Sequence, residues 1–323
     1  MAKAIALLSG GLDSILAVKL VQKQNIDVTG LTYTTPFFGA DKAQTAADQI
    51  GLPLLIHDIT TEHLQMLKAP RYGYGKNMNP CIDCHTLMLH LAGRTMEETG
   101  AEFLVTGEVL GQRPMSQTRQ SLYVVAKNSG YADYILRPLS GQLLDPIKAE
   151  RDGVLDRRQL LDISGRGRKE QMRLADEFGI RQYPPPAGGC LLTDPMFSRR
   201  LRDLLARGED RQTRDYDLLK HGRHFRTPGG VKIIVGRNHA DNDSLRRLTG
   251  DDDLVLNMAG HPGPYVLIPY GNDSAKEFAA ALCVRYSDAP ADREAEVICS
   301  CRGQATSLMS GAASKEDCES RIM

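Results

Sequence analysis

The stretch KAIALLSGGLDSILAVKL, residues 3–20, decides the fold of the N-terminal half of the chain. Its first six residues are apolar after Lys3 and have the length of a buried strand, and Ser9 joins them to Gly10 and Gly11. Apolar side chains then recur at helical spacing through residues 15–25. This succession predicts a βα unit with a glycine turn. Such a turn lets the backbone approach an anion closely, and the N–H groups at the start of the helix favour phosphate.

Strands and helices continue to alternate downstream. We predict four further strands, at residues 27–33, 53–59, 101–108 and 134–139. Helical patterns occupy residues 39–51, which stop at Gly51, and residues 84–99, which end near Gly100. Strands that alternate with helices are typical of a parallel, doubly wound sheet, so we expect an α/β fold.

The composition is typical of a globular protein of about two domains. The 323 residues are 41% hydrophobic and 25% charged, and 40 basic residues balance 40 acidic ones. The N-terminus lacks the pattern of a signal peptide, and no run approaches the roughly 20 apolar residues of a membrane span. We therefore expect a cytoplasmic protein with no membrane partner. In that compartment its seven cysteines are better explained as metal ligands or reactive thiols than as disulfides.

The pattern changes after about residue 183, where YPPPAGGC forms a proline–glycine break. Residues 197–250 then contain 13 Lys or Arg against 7 Asp or Glu, and short strands separated by turn residues follow. These strands predict a second, smaller α+β domain. The predicted divisions are a first domain at 1–185, a basic connecting segment at 186–227, a second domain at 228–300 and a disordered tail at 301–323.

The loop after the first strand is a candidate phosphate site. Asp13 is unusual there, because a carboxylate beside phosphates needs a reason; holding Mg²⁺ against a pyrophosphate would supply one. The alternative is an ordinary tight turn in which Asp13 caps the helix. Neither the Gly-Lys-Ser/Thr ending of the usual P-loop nor GxGxxG is present, which argues against a conventional NTPase or dinucleotide site. The candidate nucleotide contacts in this loop are Ser9, Gly10, Gly11, Asp13 and Ser14.

The motif SGGLDS, residues 9–14, resembles the pyrophosphate-binding loop of the N-type ATP pyrophosphatases. The resemblance implies an adenine nucleotide alpha hydrolase-like fold. It also implies cleavage of ATP into AMP and pyrophosphate, with the AMP used to activate a carbonyl oxygen. The superfamily includes tRNA thiolases and ammonia-using synthetases, so this loop does not choose the substrate.

A second loop, LVTGEVLGQRPMSQT at residues 104–118, is similar to a nucleotide-site segment of the tRNA 4-thiouridine synthase family. YILRPLSG, residues 134–141, matches a further segment of that family. Arg113, Pro114 and Met115 replace a shorter apolar step, an apparent one-residue insertion. By this resemblance the further ATP contacts are Thr106, Gly107, Gly111 and Gln112.

The cysteine motif NPCIDCHT, residues 79–86, leaves several readings open. A redox pair fits its spacing, and zinc would need His85 as a fourth ligand. The motif resembles the cysteine segment of tRNA 2-thiouridylases and of cluster-bearing 4-thiouridine synthases. In those families a cysteine after the sheet reaches the same site, and here Cys190 follows Gly188 and Gly189. The resemblance implies either a persulfide on Cys81 or Cys190, the other resolving it, or a [4Fe–4S] cluster. We favour the cluster, with Cys81, Cys84 and Cys190 as its ligands.

The second domain carries its own resemblance. VGRNHADND at 235–243, DDDLVLNMAGHPG at 251–263 and YVLIP at 265–269 resemble the RNA-binding domain of the NFACT family. The basic stretch before them suits a phosphate backbone, although its arginines, Arg199, Arg200, Arg202 and Arg207, are weak evidence alone. Cys283, Cys299 and Cys301 are expected to be buried residues or tail thiols rather than ligands.

Together these features predict an ATP-dependent tRNA sulfurtransferase. Uracil's carbonyl oxygen would be adenylated, and sulfur would then displace AMP, with Asp13, Cys81 and Cys190 as the catalytic residues. The expected cofactors are ATP, Mg²⁺ and the [4Fe–4S] cluster, and the expected partners are tRNA and a donor of sulfide or desulfurase-derived sulfur. The alternatives are a persulfide thiolase without a cluster, an RNA-binding protein with a degenerate nucleotide domain, and an amide- or nitrile-forming ligase. The sequence leaves the oligomeric state open, a homodimer being one expectation.

Overall fold

The computed structural model describes residues 1–185 and 190–323, and these form two compact units. Unit 1 comprises Met1–Thr193 and unit 2 comprises Asp194–Met323. The first unit thus continues eight residues beyond the predicted boundary at 185 and includes Cys190. No helix in the described part of the chain is long and apolar enough to cross a membrane.

Unit 1 contains a five-stranded parallel sheet in the order β3-β2-β1-β4-β5. Its strands are β1 (Lys3–Leu7), β2 (Asp27–Thr34), β3 (Leu54–Asp58), β4 (Phe103–Val105) and β5 (Ile135–Leu136). All five lie within the predicted stretches or differ from them by one residue at an end. The doubly wound α/β prediction is therefore confirmed.

Helices cover both faces of this sheet. They are α1 (Leu12–Gln22), α2 (Asp41–Ile50), α3 (Thr60–Lys68), α4 (Cys81–Thr99), α5 (Arg119–Ser129), α6 (Lys148–Arg151) and α7 (Lys169–Glu177). Successive residues of β1 serve opposite layers, as a strand requires. Ala4 and Ala6 pack with α1, α2 and α7, whereas Ile5 packs with α4 and α5. Of these helices, α3, α5, α6 and α7 were not predicted from the sequence.

The strand order brings two loops together. β1 lies between β2 and β4, so the chain turns in opposite directions along the sheet on either side of it. In open α/β sheets, ligands bind outside the carboxyl ends of the strands at such a reversal. The loops that follow β1 and β4 are the two predicted nucleotide loops, and both emerge at this point.

Unit 2 is built on a six-stranded antiparallel sheet in the order β11-β10-β8-β9-β7-β6. The strands are β6 (Arg223–Arg226), β7 (Lys232–Val235), β8 (Leu254–Met258), β9 (Val266–Ile268), β10 (Ala295–Cys301) and β11 (Gln304–Ser310). The helices are α8 (Pro195–Ala206), α9 (Thr213–Leu218), α10 (His239–Leu248), α11 (Lys276–Arg285) and α12 (Lys315–Arg321). This arrangement agrees with the predicted second α+β domain.

Two predicted boundaries of unit 2 differ from the structure. Within the supposed connecting segment 186–227, the described residues from 194 onward belong to the unit. Phe197, Leu201 and Leu204 on α8 are buried, at a helical spacing that the surrounding arginines obscure. The supposed disordered tail, 301–323, is also ordered. It pairs β11 with β10 along seven residues and buries Cys318 on α12.

Candidate functional site

The phosphate loop, residues 9–14, joins β1 to α1. Gly10 has a φ of +76°, and a Cβ there would lie 2.3 Å from the Lys42 carbonyl oxygen on α2. Only glycine therefore fits at this position, because both the conformation and the space exclude a side chain. The close approach of α2 fixes the path of the loop.

Hydroxyl groups and the helix start shape the same loop. Ser14 Oγ donates to the Gly11 carbonyl at 2.7 Å, and Ser9 Oγ donates to Ser14 Oγ at 3.3 Å. Gly11 is the N-cap residue of α1, and no described side chain caps this helix. The alternative that Asp13 serves as the helix cap is therefore wrong. The uncapped N-terminus retains N–H groups for an anionic ligand.

Asp13 has one partnered oxygen and one without a partner. Its Oδ2 accepts a hydrogen bond from Gln112 Nε2 at 3.0 Å, whereas Oδ1 is buried and has no hydrogen-bond partner among the described residues. Burial raises the pKa of this carboxyl, against the opposing effects of Gln112, Arg168, Arg113 and the side chain of Gln171. A buried carboxylate oxygen without a donor suits a cation, so the arrangement fits the predicted Mg²⁺.

Residues 106–112 of the second loop pack directly against the phosphate loop. A Cβ on Gly107 would lie 2.4 Å from Ser14 N and 2.6 Å from Asp13 C, so this glycine permits the contact. Gly111 has a φ of +76°, and its N–H donates to the Gln117 carbonyl at 2.7 Å. This turn directs Gln112 towards Asp13. The structure thus brings the predicted residues of both loops together.

Glu108 lies at the centre of a buried polar network. Its Oε2 accepts from Arg137 Nε at 2.8 Å, and its Oε1 lies 2.9 Å from His85 Nδ1. Thr106 Oγ1 donates to Oε2 at 3.3 Å. Burial by itself raises the pKa of Glu108, but Arg137 and His85 outweigh it and lower the pKa to about 2. The network links the second loop to the first turns of α4 and to the chain after β5.

Cys81 and Cys84 lie in the first turn of α4. Burial raises the pKa of both thiols, and for Cys81 the side chain of Asn79 and the charge of Arg113 oppose the increase. Cys84 Sγ lies 3.5 Å from His63 Nε2 on α3. His63 is fully buried, and burial lowers its pKa to about 4, so it is neutral at physiological pH.

Cys190 lies in unit 1 with the other two cysteines. Burial raises its pKa, and repulsion from Cys81 adds to the effect, whereas the backbone N–H groups of Leu192 and Thr193 oppose it. Burial is the main cause of the raised pKa of Cys84, and negative charge on Cys190 or Cys81 adds to it. The three predicted thiols are therefore close enough to affect one another electrostatically. The glycines expected to bring Cys190 in, Gly188 and Gly189, lie outside the described residues.

The cysteines do not form a complete metal site as they stand. Within residues 1–185 and 190–323, no three Cys, His, Asp or Glu side chains are placed to hold one metal ion. His85, the fourth ligand required for zinc, contacts Glu108 instead. Three soft thiols suit iron chemically, but this geometry does not assemble them around a metal. The cluster therefore stays a prediction.

Several residues of the site were not predicted from the sequence. Arg113 was treated only as a departure from a family pattern, yet its charge acts on Asp13, Cys81 and Cys190. Arg168 and Gln171 also face Asp13. The only signal for Arg168 was the basic run RGRK at 166–169, and nothing local pointed to His63.

Two known families match separate parts of the chain. Residues 1–149 match the family described as thiamine biosynthesis protein (ThiI). These residues are thus similar to that family, in agreement with the resemblance carried by SGGLDS and the second loop. Residues 222–321 match the NFACT protein RNA binding domain, so the resemblance read from VGRNHADND is confirmed. The NFACT match extends through the ordered tail, whereas the ThiI match ends before Cys190.

Curated proteins similar to this chain include two whose names refer to tRNA. A probable tRNA sulfurtransferase of Caldanaerobacter subterraneus subsp. tengcongensis is 29% identical over 169 residues, which are 50% of this chain and 40% of that protein. The tRNA-specific 2-thiouridylase MnmA of Methylobacterium nodulans is 23% identical over 276 residues, or 79% and 68% of the two chains. The chain thus spans well under half the length of this sulfurtransferase.

One solved structure with similarity to the chain is titled a 4-thiouridine synthetase–RNA complex with bound ATP. It is 22% identical to this chain, and the alignment covers 55% of this chain and 52% of that one with a TM-score of 0.36.

Proposed function

We propose that this protein is an ATP-dependent tRNA sulfurtransferase that replaces a carbonyl oxygen of uridine with sulfur. The observation that carries the proposal is the joining of the two nucleotide loops through Asp13 and Gln112, in the same unit as three mutually interacting thiols. The ThiI family match and the NFACT RNA-binding match support it.

In the first step ATP activates the base. The uracil carbonyl oxygen attacks the α-phosphate, the bond to the β-phosphate breaks, and pyrophosphate leaves. The glycines of the phosphate loop and the uncapped start of α1 suit the departing pyrophosphate. Asp13 is the residue that would hold Mg²⁺, which neutralises phosphate charge. The adenylated base carries AMP, a far better leaving group than an oxide.

In the second step sulfur displaces AMP at the activated carbon. If Cys190 carries the sulfur as a persulfide received from a donor, its terminal sulfur attacks that carbon and AMP leaves with the former carbonyl oxygen. Cys81 thiolate then attacks the inner sulfur, forming a Cys81–Cys190 disulfide and releasing the thiolated base. A thiol reductant must restore both thiols by supplying two electrons. A sulfide ion held on a [4Fe–4S] cluster is the other route, and no step here depends on it.

The resemblance of the second loop to 4-thiouridine synthases favours the 4-position of uracil, and the 2-position is the alternative. The target base must leave its stack to reach the nucleotide, as in other enzymes that act on a base. We further propose that the protein is cytoplasmic. A donor of sulfide or desulfurase-derived sulfur and a homodimeric state are still predictions.

A tRNA-dependent turnover assay tests the function. The protein, purified anaerobically, would be given ATP, Mg²⁺ and bulk tRNA, with sulfide in one arm and a persulfide donor plus a thiol reductant in the other, and both pyrophosphate and thiolated nucleosides would be measured. We expect pyrophosphate release that requires tRNA, and 4-thiouridine in the digested RNA. Pyrophosphate release that is absent, or independent of tRNA, would reject the proposal and favour an RNA-binding protein with a degenerate nucleotide domain.

The same preparation tests the sulfur route. A brown protein with about four irons per chain that loses iron in the Cys190→Ala variant would support the cluster. A colourless, iron-free protein that still thiolates RNA from a persulfide donor would support the disulfide-forming route.

A further inference from the structure

Unit 2 contains a cavity that the proposed chemistry does not use. Its volume is about 260 Å³, and it lies where the turn between β6 and β7 meets the chain before α9 and the segment after β9. Its polar lining includes Lys232, Arg211, Tyr270, Glu209 and Asp215. No family comparison assigns a role to this cavity.

Lys232 is the unusual residue of this lining. It lies on β7 next to Ile233 and Ile234, and only 7% of it is exposed. The described residues offer its ammonium group neither a hydrogen bond nor an ion pair within normal distance. Its ammonium group therefore keeps its donors for water or for a ligand that enters the cavity.

The nearby carboxylates are already engaged. Both oxygens of Glu209 accept hydrogen bonds from Arg226, which also binds Asp203. Both oxygens of Asp215 accept from the Tyr270 hydroxyl, at 2.9 and 2.7 Å. These contacts leave the cavity with acidic residues but without a carboxylate within bonding distance of Lys232.

Arg211 supplies a second cation at the exposed side of the cavity. Its guanidinium carbon lies 4.5 Å from the centroid of the Tyr270 ring, which holds the group in position by a cation–π contact. The described residues provide no carboxylate partner for Arg211. One buried and one exposed cation therefore line the same cavity with their donors available.

We propose that this cavity is a binding site for a phosphate group of RNA, held between Lys232 and Arg211. A phosphate offers oxygens to several donors at once, and lysine is a common point-charge partner for it. The match of this unit to an RNA-binding domain favours RNA as the molecule that carries the phosphate. The choice of RNA rests on the proposed function, whereas the phosphate site itself does not.

The protonation of Lys232 provides a further readout. Burial, together with the charge of Arg226, lowers its pKa to about 8, while Asp203, Glu209 and Asp215 oppose the decrease. A bound phosphate favours the charged amine and raises this pKa. RNA affinity should therefore fall more steeply between pH 7.5 and 9, values that bracket the pKa of about 8, than it does without this lysine.

The test compares Lys232→Met with Lys315→Met in the full chain. Lys315 is exposed, forms an ion pair with Glu319 and does not line the cavity. We expect Lys232→Met to weaken binding of labelled tRNA by about tenfold or more, as loss of a charge-assisted hydrogen bond does, and to flatten the pH dependence. Its melting temperature without RNA should be unchanged or higher, because an unpaired buried charge has been removed. Lys315→Met should match the wild type in every respect.

Further measurements identify the source of the phosphate. Titration with inorganic phosphate, followed by ³¹P NMR, should show binding that Lys232→Met abolishes. Short RNAs with and without a 5′-phosphate distinguish binding of a terminal phosphate from binding of an internal one. If the site binds the terminal phosphate, its removal should weaken RNA binding as much as Lys232→Met does. Arg211→Gln alters an exposed residue, so it tests the same site even if Lys232→Met does not fold.

The outcomes separate this inference from the proposed function. Wild-type tRNA and phosphate binding in both Lys232→Met and Arg211→Gln would overturn the phosphate site, even if the protein thiolates tRNA. Binding of inorganic phosphate without any effect of Lys232→Met on RNA would overturn RNA as the source. Absence of thiolation, with Lys232-dependent phosphate binding retained, would reject only the proposed function.

Discussion

Gln112 Nε2 donates a hydrogen bond to Asp13 Oδ2 at 3.0 Å, across 99 residues of sequence. The bond joins the loop after β4 to the loop after β1, at the point where the sheet reverses its direction of winding. It orients the carboxylate so that its other oxygen, Oδ1, remains buried without a partner. An oriented ligand with a supporting amide is the usual arrangement around a protein-bound metal ion.

We expect Gln112→Ala to raise the Mg²⁺ concentration needed for half-maximal pyrophosphate release by about 10–100-fold, the usual effect of losing a group that orients a ligand. Asp13→Asn should have a larger effect, because it removes the charge itself. A Mg²⁺ titration of tRNA-dependent pyrophosphate release would measure both.

The matched control is a similar pair on the surface of α2. Gln44 Nε2 donates to Asp48 Oδ1 at 2.8 Å, and both residues are exposed. Gln44→Ala and Asp48→Asn should leave the Mg²⁺ requirement unchanged. An unaltered requirement in Asp13→Asn would contradict a role for Asp13 in holding the metal.

A second prediction concerns Gly107, where the two loops touch. An added Cβ would lie 2.4 Å from Ser14 N, too close to be accommodated without movement of the backbone. Gly107→Ala should destabilise the protein by about 1–3 kcal/mol, as overpacking does, and should weaken ATP binding. Thermal unfolding with and without ATP measures both effects. Gly39→Ala is the control, since a Cβ there meets nothing within 4 Å. An equal loss of stability and of ATP binding in both variants would show that the contact between the loops is unimportant.

The βα unit at residues 3–20 could be predicted because its signals are local. An apolar run, two glycines and a helical period each point to the same structure, and β1 and α1 occur there. The contact between Gln112 and Asp13 could not be derived in this way. It depends on the order of the strands, which one sequence does not determine.

The errors have equally specific causes. Helix α8 was read as part of a charged connector because its arginines obscure the buried Phe197, Leu201 and Leu204. The last segment was read as disordered because β11 is mostly polar; pairing with β10 supplies the order that its composition does not predict. Nothing in the sequence singles out Lys232, because only the surrounding tertiary contacts make it a candidate binding residue.

A third prediction separates the two chemical steps. Cys81→Ala and Cys190→Ala should each lower tRNA thiolation to background and retain tRNA-dependent pyrophosphate release, because adenylation needs ATP and the base but not the thiols. Loss of thiolation in Cys84→Ala as well would favour the cluster, because Cys84 has no part in the disulfide-forming route. Thiolated nucleosides and pyrophosphate would be measured on the same samples. Cys301→Ala, which alters a partly exposed thiol in unit 2, should change neither product. Parallel loss of both products in Cys190→Ala would mean that this cysteine supports nucleotide binding instead.

A fourth prediction concerns the buried Glu108. Arg137 and His85 hold its pKa at about 2, below the ordinary value of 4.5. The ionised group therefore stabilises the folded state fully above pH 4.5, and this contribution is lost as the pH falls towards 2. Glu108→Gln should lower the free energy of unfolding at pH 7 by about 3–5 kcal/mol, because Arg137 is left buried without its charged partner. Denaturation at several pH values would measure the loss.

The difference in stability between wild type and Glu108→Gln should shrink as the pH falls from 4.5 towards 2, because protonation removes the same charge from the wild type. Asp133→Asn is the control. It breaks an ion pair with Arg151 in which both side chains are about half exposed, so it should cost about 1 kcal/mol or less. A constant difference across this pH range would mean that Glu108 acts through packing and not through its charge. Since the network also contacts His85, next to Cys84, Glu108→Gln should in addition slow thiolation more than pyrophosphate release.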